Sequence, residues 1–155
     1  MVKSKDNYSS VYFRNLVFGT EDSLVSTVGL LSGIAVAGVE KDTILTAGII
    51  LIFVEAFSMG TGSFLSEESD GALKGSIVMF LSYFFSGFIP LFPYVILDVN
   101  YAFIVSIIFS LVGLFLAGIV SAKAFGRPAF SQGMKMLIIG GSAAIIGAIV
   151  GKIIG

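Results

Sequence analysis

The sequence predicts an all-α membrane protein, a bundle of five transmembrane helices that forms a single domain over residues 1–155. The chain is 56% hydrophobic and only 12% charged, with a mean hydropathy of +1.02, whereas a soluble domain carries about 25% charged residues. Its apolar residues gather into five long segments that are apolar on all sides, which is typical of helices surrounded by lipid. Short polar connections join these segments, as expected for antiparallel neighbours in a bundle.

Each apolar segment has the length of a membrane-spanning helix, because about 20 residues at about 1.5 Å each cross a hydrocarbon core of about 30 Å. The chain before the first segment, around Val11 to Val17, predicts a short helix at the membrane surface. It has no secretory signal pattern. The five predicted spans run from about Ser23 to Val39, Thr43 to Leu65, Ser76 to Leu97, Tyr101 to Ala122 and Met136 to Ile154.

The distribution of basic residues predicts the orientation, since cytoplasmic loops are enriched in Lys and Arg. An N-terminus in the cytoplasm leaves only Lys41 and Lys152 on the far side. We therefore expect a cytoplasmic N-terminus and a C-terminus outside the cell or in a lumen. The cytoplasmic side then carries Lys3, Lys5, Arg14, Lys74, Lys123, Arg127 and Lys135.

Glycines occur at the spacing that lets membrane helices approach closely. Gly29 and Gly33 have this spacing in the first span, and Gly147 and Gly151 have it in the last. The pattern fits packing within one bundle, and in the first span it also fits the seam of a homodimer.

Composition excludes several classes of function. The chain has no Cys and no His, so a metal site must use carboxylate, carbonyl, hydroxyl or thioether ligands. No enzyme signature is present, and we expect neither an enzyme nor a bound cofactor. The formal net charge of -1 gives no indication of a nucleic-acid partner.

Glu55 is the most informative residue, because it falls near the middle of the second predicted span. A carboxylate there is costly and usually faces a bundle interior or a water-filled path. Met59 follows one helical turn later on the same face, and a thioether beside a carboxylate suits a transition metal. The alternatives are a protonated Glu55 bonded to a neighbouring helix and a Met59 that only packs.

Asp22 lies at the start of the first predicted span. It is a candidate cation ligand at the cytoplasmic mouth, and it is also a candidate cap for the helix start. Pro90 and Pro93 interrupt the third span, where each removes a backbone donor and favours a kink.

Two segments of the sequence resemble the vacuolar iron transporter family. FGTEDSLVSTVGLLSGIAVAG is similar to the family's NDGLVST-like first-span motif, and AFSMGTGSFLSEES is similar to its SM-AAGEYxS-like second-span motif. The resemblance implies a homodimeric exporter of Fe²⁺ or Mn²⁺ from the cytosol, exchanged for protons. It also implies that Asp22 and Met59 are metal ligands on the path.

The chain departs from the family pattern at two points. The family's second-motif Glu falls at Ser63, while Glu55 stands where the family has a small residue, which suggests that the carboxylate has moved along the helix. The connection Glu67 to Lys74 replaces a long cytoplasmic metal-binding domain, so the chain resembles the short, nodulin-21-like form.

The sequence therefore predicts a proton-coupled Fe²⁺ or Mn²⁺ exporter in a lipid bilayer, with Asp22, Glu55 and Met59 as metal ligands. The alternatives are a non-transporting partner or assembly subunit and a proton-coupled transporter of another solute. The compact form favours a prokaryotic cell membrane.

Overall fold

The computed structural model describes residues 5–68 and 71–155. They form five α-helices, which confirms the prediction of an all-helical protein. The helices are α1 (Lys5–Val36), α2 (Lys41–Ser66), α3 (Ala72–Ile96), α4 (Val99–Ala124) and α5 (Ala129–Ile154). By length and composition, α2 to α5 can each cross a membrane.

Helix α1 differs from the predicted first span. It begins at Lys5 and runs unbroken for 32 residues, so the predicted surface helix and the first apolar segment are one helix. No proline interrupts it, and its mean hydropathy is lowered by Glu21 and Asp22 near its centre. Asp22 therefore lies far inside the helix, and the prediction that it caps a helix start is wrong.

The bundle is organised around α1 and α3. Helix α1 packs mainly against α3 and α5, α2 packs mainly against α3, and α4 packs mainly against α5. Although α1 and α2 are consecutive, they touch each other much less. Their contact includes Leu31 and Ile44 in a core cluster with Leu91 and Tyr94 of α3.

The glycine motifs of the first and last helices pack against each other. A Cβ added at Gly33 would lie 2.9 Å from the carbonyl oxygen of Gly147, and one at Gly151 would overlap the carbonyl oxygen of Gly33. The same overlap occurs between Gly147 and the carbonyl of Gly29. Of the two interpretations of these glycines, the structure favours packing within one bundle, because α5 already covers the α1 motif.

Both prolines lie inside α3, and buried serine hydroxyls donate to backbone carbonyls close to Pro90. Ser106 of α4 donates to the carbonyl oxygen of Pro90 at 2.6 Å. Ser86, whose carbonyl loses its usual helical donor at Pro90, donates its own hydroxyl to the carbonyl of Ser82 at 2.6 Å. The first of these bonds ties α3 to α4 next to the prolines.

The two ends of the bundle differ in charge. The start of α1, the α2–α3 connection and the α4–α5 connection lie at one end, which we call the basic end. Lys41 and Lys152 lie at the opposite end, where Lys41 donates to the carbonyl of Val95 at 3.2 Å. The basic side chains in the described part of the basic end are Arg14, Lys74, Lys123, Arg127 and Lys135. Lys3 lies outside the described residues.

Candidate metal-binding site

A cavity of about 560 Å³ opens between α1, α2 and α3 at the basic end. Its lining comes mostly from α1 and α2, which pack on each other less than either packs on α3. Polar and sulfur-containing side chains from all three helices face it, and an arginine and a glutamate mark its outer part. Its lining consists of Arg14, Asn15, Phe18, Ser58, Met59, Gly62, Ser63, Ser66, Glu67 and Met79.

Asn15 ties the three helices together beside this cavity. Its side chain is buried, and its amide nitrogen donates to the Ser63 hydroxyl at 3.0 Å and to the Gly75 carbonyl at 3.1 Å. Both amide hydrogens are therefore used, which fixes the orientation of the amide. Ser63 is the position where the family motif has Glu, and here its hydroxyl accepts from Asn15 in place of offering a charge.

Asp22 and Glu55 lie close enough to interact electrostatically. They come from antiparallel helices. Asp22 is seven residues after Asn15 on α1, and Glu55 is eight residues before Ser63 on α2. The Asn15–Ser63 hydrogen bond therefore also predicts that the two carboxylates lie at a similar depth. Asp22 is about 10 Å deeper along the helix axis than Asn15, at about 1.5 Å per residue. Both carboxylates are half-buried. Two like charges in a poorly solvated site repel, and a cation or a proton between them relieves the repulsion.

Tyr83 of α3 lies on the inner side of this acidic pair. Its side chain is completely buried, and its hydroxyl interacts electrostatically with both Asp22 and Glu55. The hydroxyls of Tyr83 and Ser26 share a hydrogen bond of 2.6 Å. Ser23 donates to the Tyr83 carbonyl at 2.6 Å, which fixes the backbone of α3 against α1.

The structure thus joins two of the three predicted ligands directly. Asp22 and Glu55 form a pair across α1 and α2, while Met59 lines the adjoining cavity one turn toward the basic end. Neither carboxylate is among the residues that line the cavity. Within residues 5–68 and 71–155 no cluster of three or more acidic side chains could hold a metal ion. A metal at this pair would therefore complete its shell with neutral oxygen, sulfur or water.

Three side chains at the site were not among the predicted ligands: Asn15, Met79 and Tyr83. Met79 and Tyr83 lie one turn apart on α3, and both are buried. Their signal in the sequence was the spacing of polar and sulfur-containing residues on one face of α3, which also includes Ser76, Ser82 and Ser86. Asn15 lies in the stretch that we predicted to be a surface helix, so its place in the bundle was missed.

The fold and the half-buried acidic pair define a polytopic helical membrane protein with a polar site between its helices. A sequence model of the VIT family matches residues 13–74 and 67–152, which include all the site residues described above. The chain belongs to the VIT family, and the resemblance seen in the first two motifs is confirmed.

A named relative is Vacuolar iron transporter 1 of Tulipa gesneriana. It is 37% identical over 57 residues, which are 37% of this chain. The aligned part spans only 23% of the tulip protein.

Proposed function

We propose that this protein carries a divalent transition-metal ion, Fe²⁺ or Mn²⁺, out of the cytosol in exchange for protons. The observation that supports this most is the pair of Asp22 and Glu55, contributed by two helices inside an apolar bundle. Intramembrane carboxylates are costly and are typical of ion pathways and proton relays. Membership of the VIT family and a relative named for iron transport agree with the proposal.

The acidic pair offers a simple exchange of metal for protons. With both carboxylates ionised, Asp22 and Glu55 repel each other and attract a divalent ion. Protonation removes their negative charge, weakens their hold on the metal and favours release, because metal ligands must be deprotonated to bind. Tyr83 contributes a neutral hydroxyl oxygen within reach of both charges. The same two groups can therefore carry either a metal ion or protons, which is what coupled exchange requires.

The route that we propose begins at the basic end. The ion enters the cavity, passes Met59, and reaches Asp22 and Glu55 together, since these two residues are at the same depth. Thr27, more than one turn beyond Asp22 along α1, is completely buried and its hydroxyl has no hydrogen-bond partner among the described residues. Such a group is a typical site for an internal water molecule and supports a hydrated path beyond the pair.

The proposal includes a homodimer with the basic end in the cytosol. Helices α1 and α2 pack on each other less than either packs on α3, and the half-buried carboxylates belong to these two helices. Lipid is a poor neighbour for these groups, and a second copy would enclose them. The basic end carries most of the Lys and Arg, which is typical of the cytoplasmic side. A prokaryotic cell membrane remains our prediction for the location, whereas the tulip relative is named for the vacuole.

Transport by protein reconstituted into liposomes tests this function. Entry of Fe²⁺ or Mn²⁺ is followed with a metal-quenched dye, and proton movement with a pH-sensitive dye. We expect metal and proton fluxes in opposite directions. Asp22→Asn and Glu55→Gln should each slow transport about tenfold or more, since even partners of metal ligands have effects of this size.

Asp42→Asn is the matched control, because it makes the same change at an exposed carboxylate near the opposite end of α2. This variant should transport as the unmodified protein does. If the unmodified protein moves neither metal, the proposed function is wrong. If Asp22→Asn and Glu55→Gln transport as well as Asp42→Asn does, the assignment of the acidic pair is wrong.

A further inference from the structure

The cavity at the basic end has an unusual set of neutral ligands. Two thioethers, Met59 from α2 and Met79 from α3, line the same cavity as the amide of Asn15 from α1. Met79 is only 5% exposed, so its sulfur is largely withdrawn from solvent. Each of the three helices around the cavity therefore contributes one side chain with a lone pair and no charge.

Glycine at position 19 makes room for the Met79 thioether. A Cβ at Gly19 would lie 3.2 Å from the Met79 sulfur and 2.9 Å from the Met79 carbonyl oxygen. It would also overlap the hydroxyl of Ser82. The close approach of α1 and α3 at Gly19 thus holds Met79 between the two helices, beside the cavity that Met59 lines from the other side.

The amide of Asn15 presents its oxygen as a third ligand. Both of its N–H groups already donate, to Ser63 and to Gly75. The amide oxygen accepts no hydrogen bond from the described residues. It is also not among the fully buried polar atoms that lack a hydrogen-bond partner. Since Asn15 lines the cavity, its oxygen is available to a ligand there. The charged residues of the cavity, Arg14 and Glu67, are of opposite sign, and Arg14 is exposed.

We propose that Met59, Met79 and the Asn15 amide oxygen form a neutral, sulfur-rich site that binds soft d¹⁰ cations such as Cu⁺. Thioethers select soft ions, whereas Mn²⁺ and Mg²⁺ prefer carboxylate, carbonyl and water ligands. A neutral ligand set also suits a monovalent ion, which needs less compensating charge in a poorly solvated cavity. This inference rests on the proposed function only in treating the cavity as the entrance to the acidic pair. It makes Met79 a residue that determines which metals are retained there.

Binding of Ag⁺, a redox-stable substitute for Cu⁺, tests the site on the full-length protein in detergent and chloride-free buffer. Calorimetric titration should show that Met79→Leu weakens Ag⁺ binding about tenfold or more, in line with the usual cost of disturbing a metal site. Met59→Leu should have a similar effect. Binding of Mn²⁺ should be unchanged in Met79→Leu, because this ion depends on the acidic pair.

Met136→Leu is the matched control. Met136 is also buried, at 4% exposure, but it packs against Leu24 and Leu114 in a different core cluster. Leucine and methionine have similar volumes, so all three variants should fold, and thermal unfolding checks this. Equal Ag⁺ affinity in Met79→Leu, Met136→Leu and the unmodified protein would overturn the inference.

The experiment separates this inference from the proposed transport function. If Ag⁺ binding depends on Met79 while the protein moves neither Fe²⁺ nor Mn²⁺, the soft-cation site stands and the transport proposal fails. If Asp22→Asn abolishes Mn²⁺ transport while Met79→Leu leaves Ag⁺ binding intact, the transport proposal stands and the soft-cation site fails.

Discussion

Tyr83 is the residue through which α3 takes part in the acidic site. Its ring is completely buried. Its hydroxyl shares a hydrogen bond with the Ser26 hydroxyl and interacts electrostatically with Asp22 and Glu55. A buried tyrosine usually has a partner for its hydroxyl, and Ser26 supplies one here. The position of the hydroxyl indicates a second role, as a neutral ligand or hydrogen-bond donor to whichever species the carboxylates hold.

Replacing Tyr83 by Phe separates these two roles. Tyr83→Phe removes the hydrogen bond and the hydroxyl, whereas Ser26→Ala removes the same bond but leaves the Tyr83 hydroxyl beside the acids. Each change should lower stability by about 0.5–1.5 kcal/mol, the usual net value of such a bond. In the liposome assay Tyr83→Phe should transport metal more slowly than Ser26→Ala. Equal rates in the two variants would show that the hydroxyl acts only through its bond to Ser26.

The sequence was sufficient to select Asp22 and Glu55, but it did not reveal that they form a pair. Glu55 was chosen because a carboxylate within an apolar segment is costly, and Asp22 because it stands at the start of an apolar segment and in the family's first-span motif. Their pairing depends on the register between α1 and α2, which requires knowing that α1 continues back to Lys5. With Asp22 predicted at a helix start, its depth inside α1 was missed. Met79 was missed because methionine in an apolar helix usually only packs.

Helix α1 shows why composition alone did not predict the bounds of every helix. Its first half is polar and mixed in charge, yet the helix continues through it because Asn15 and Ser23 bond to α3 and Gly19 lets the two helices approach. Tertiary contacts of this kind override the hydropathy pattern. The four helices with consistently apolar composition, α2 to α5, were easier to predict because the bilayer itself dictates their length.

The α1–α5 interface depends on glycines at a spacing of four residues. Because the added Cβ would overlap backbone atoms, neither helix can relieve the contact by rotating a side chain. A Cβ at Gly147 would overlap the carbonyl oxygen of Gly29, whereas one at Gly141, on the same helix, would meet only the tip of Leu111 at 3.9 Å. Position 147 is therefore sensitive to added volume, and position 141 is not.

Alanine at these two glycines tests the packing of α5 on α1. Gly147→Ala should lower the free energy of unfolding by about 1–3 kcal/mol, the usual cost of overpacking. Gly141→Ala should leave stability unchanged or raise it by about 0.5–1 kcal/mol, since alanine favours a helix over glycine. Thermal or denaturant unfolding in detergent measures both. A loss of stability in Gly141→Ala as large as that in Gly147→Ala would contradict this packing.

The outer surface of the molecule consists of large apolar side chains, which suit contact with lipid. The surface between α1 and α2 is an exception. Between α1 and α2 the surface includes the half-buried carboxylates and the mouth of the cavity. The contact between α1 and α2 is less extensive than the contacts that either helix makes with α3. A second copy placed against this side would cover the polar groups and bring two acidic pairs toward one axis, which is the arrangement that the transport proposal requires.

Single cysteines test this homodimer, because the chain has no Cys of its own. Val54 of α2 is 59% exposed and precedes Glu55 by one residue, so it lies on the outer surface of α2 at the depth of the acidic pair. Val112 of α4, 54% exposed, is the matched control, since α4 packs mainly against α5 and contributes no residue to the cavity lining. In liposomes a short bis-maleimide linker should join two copies of Val54→Cys and leave Val112→Cys monomeric on a denaturing gel. Efficient linkage of Val112→Cys without that of Val54→Cys would move the interface to another face, and the two acidic pairs would then lie too far apart to share a path.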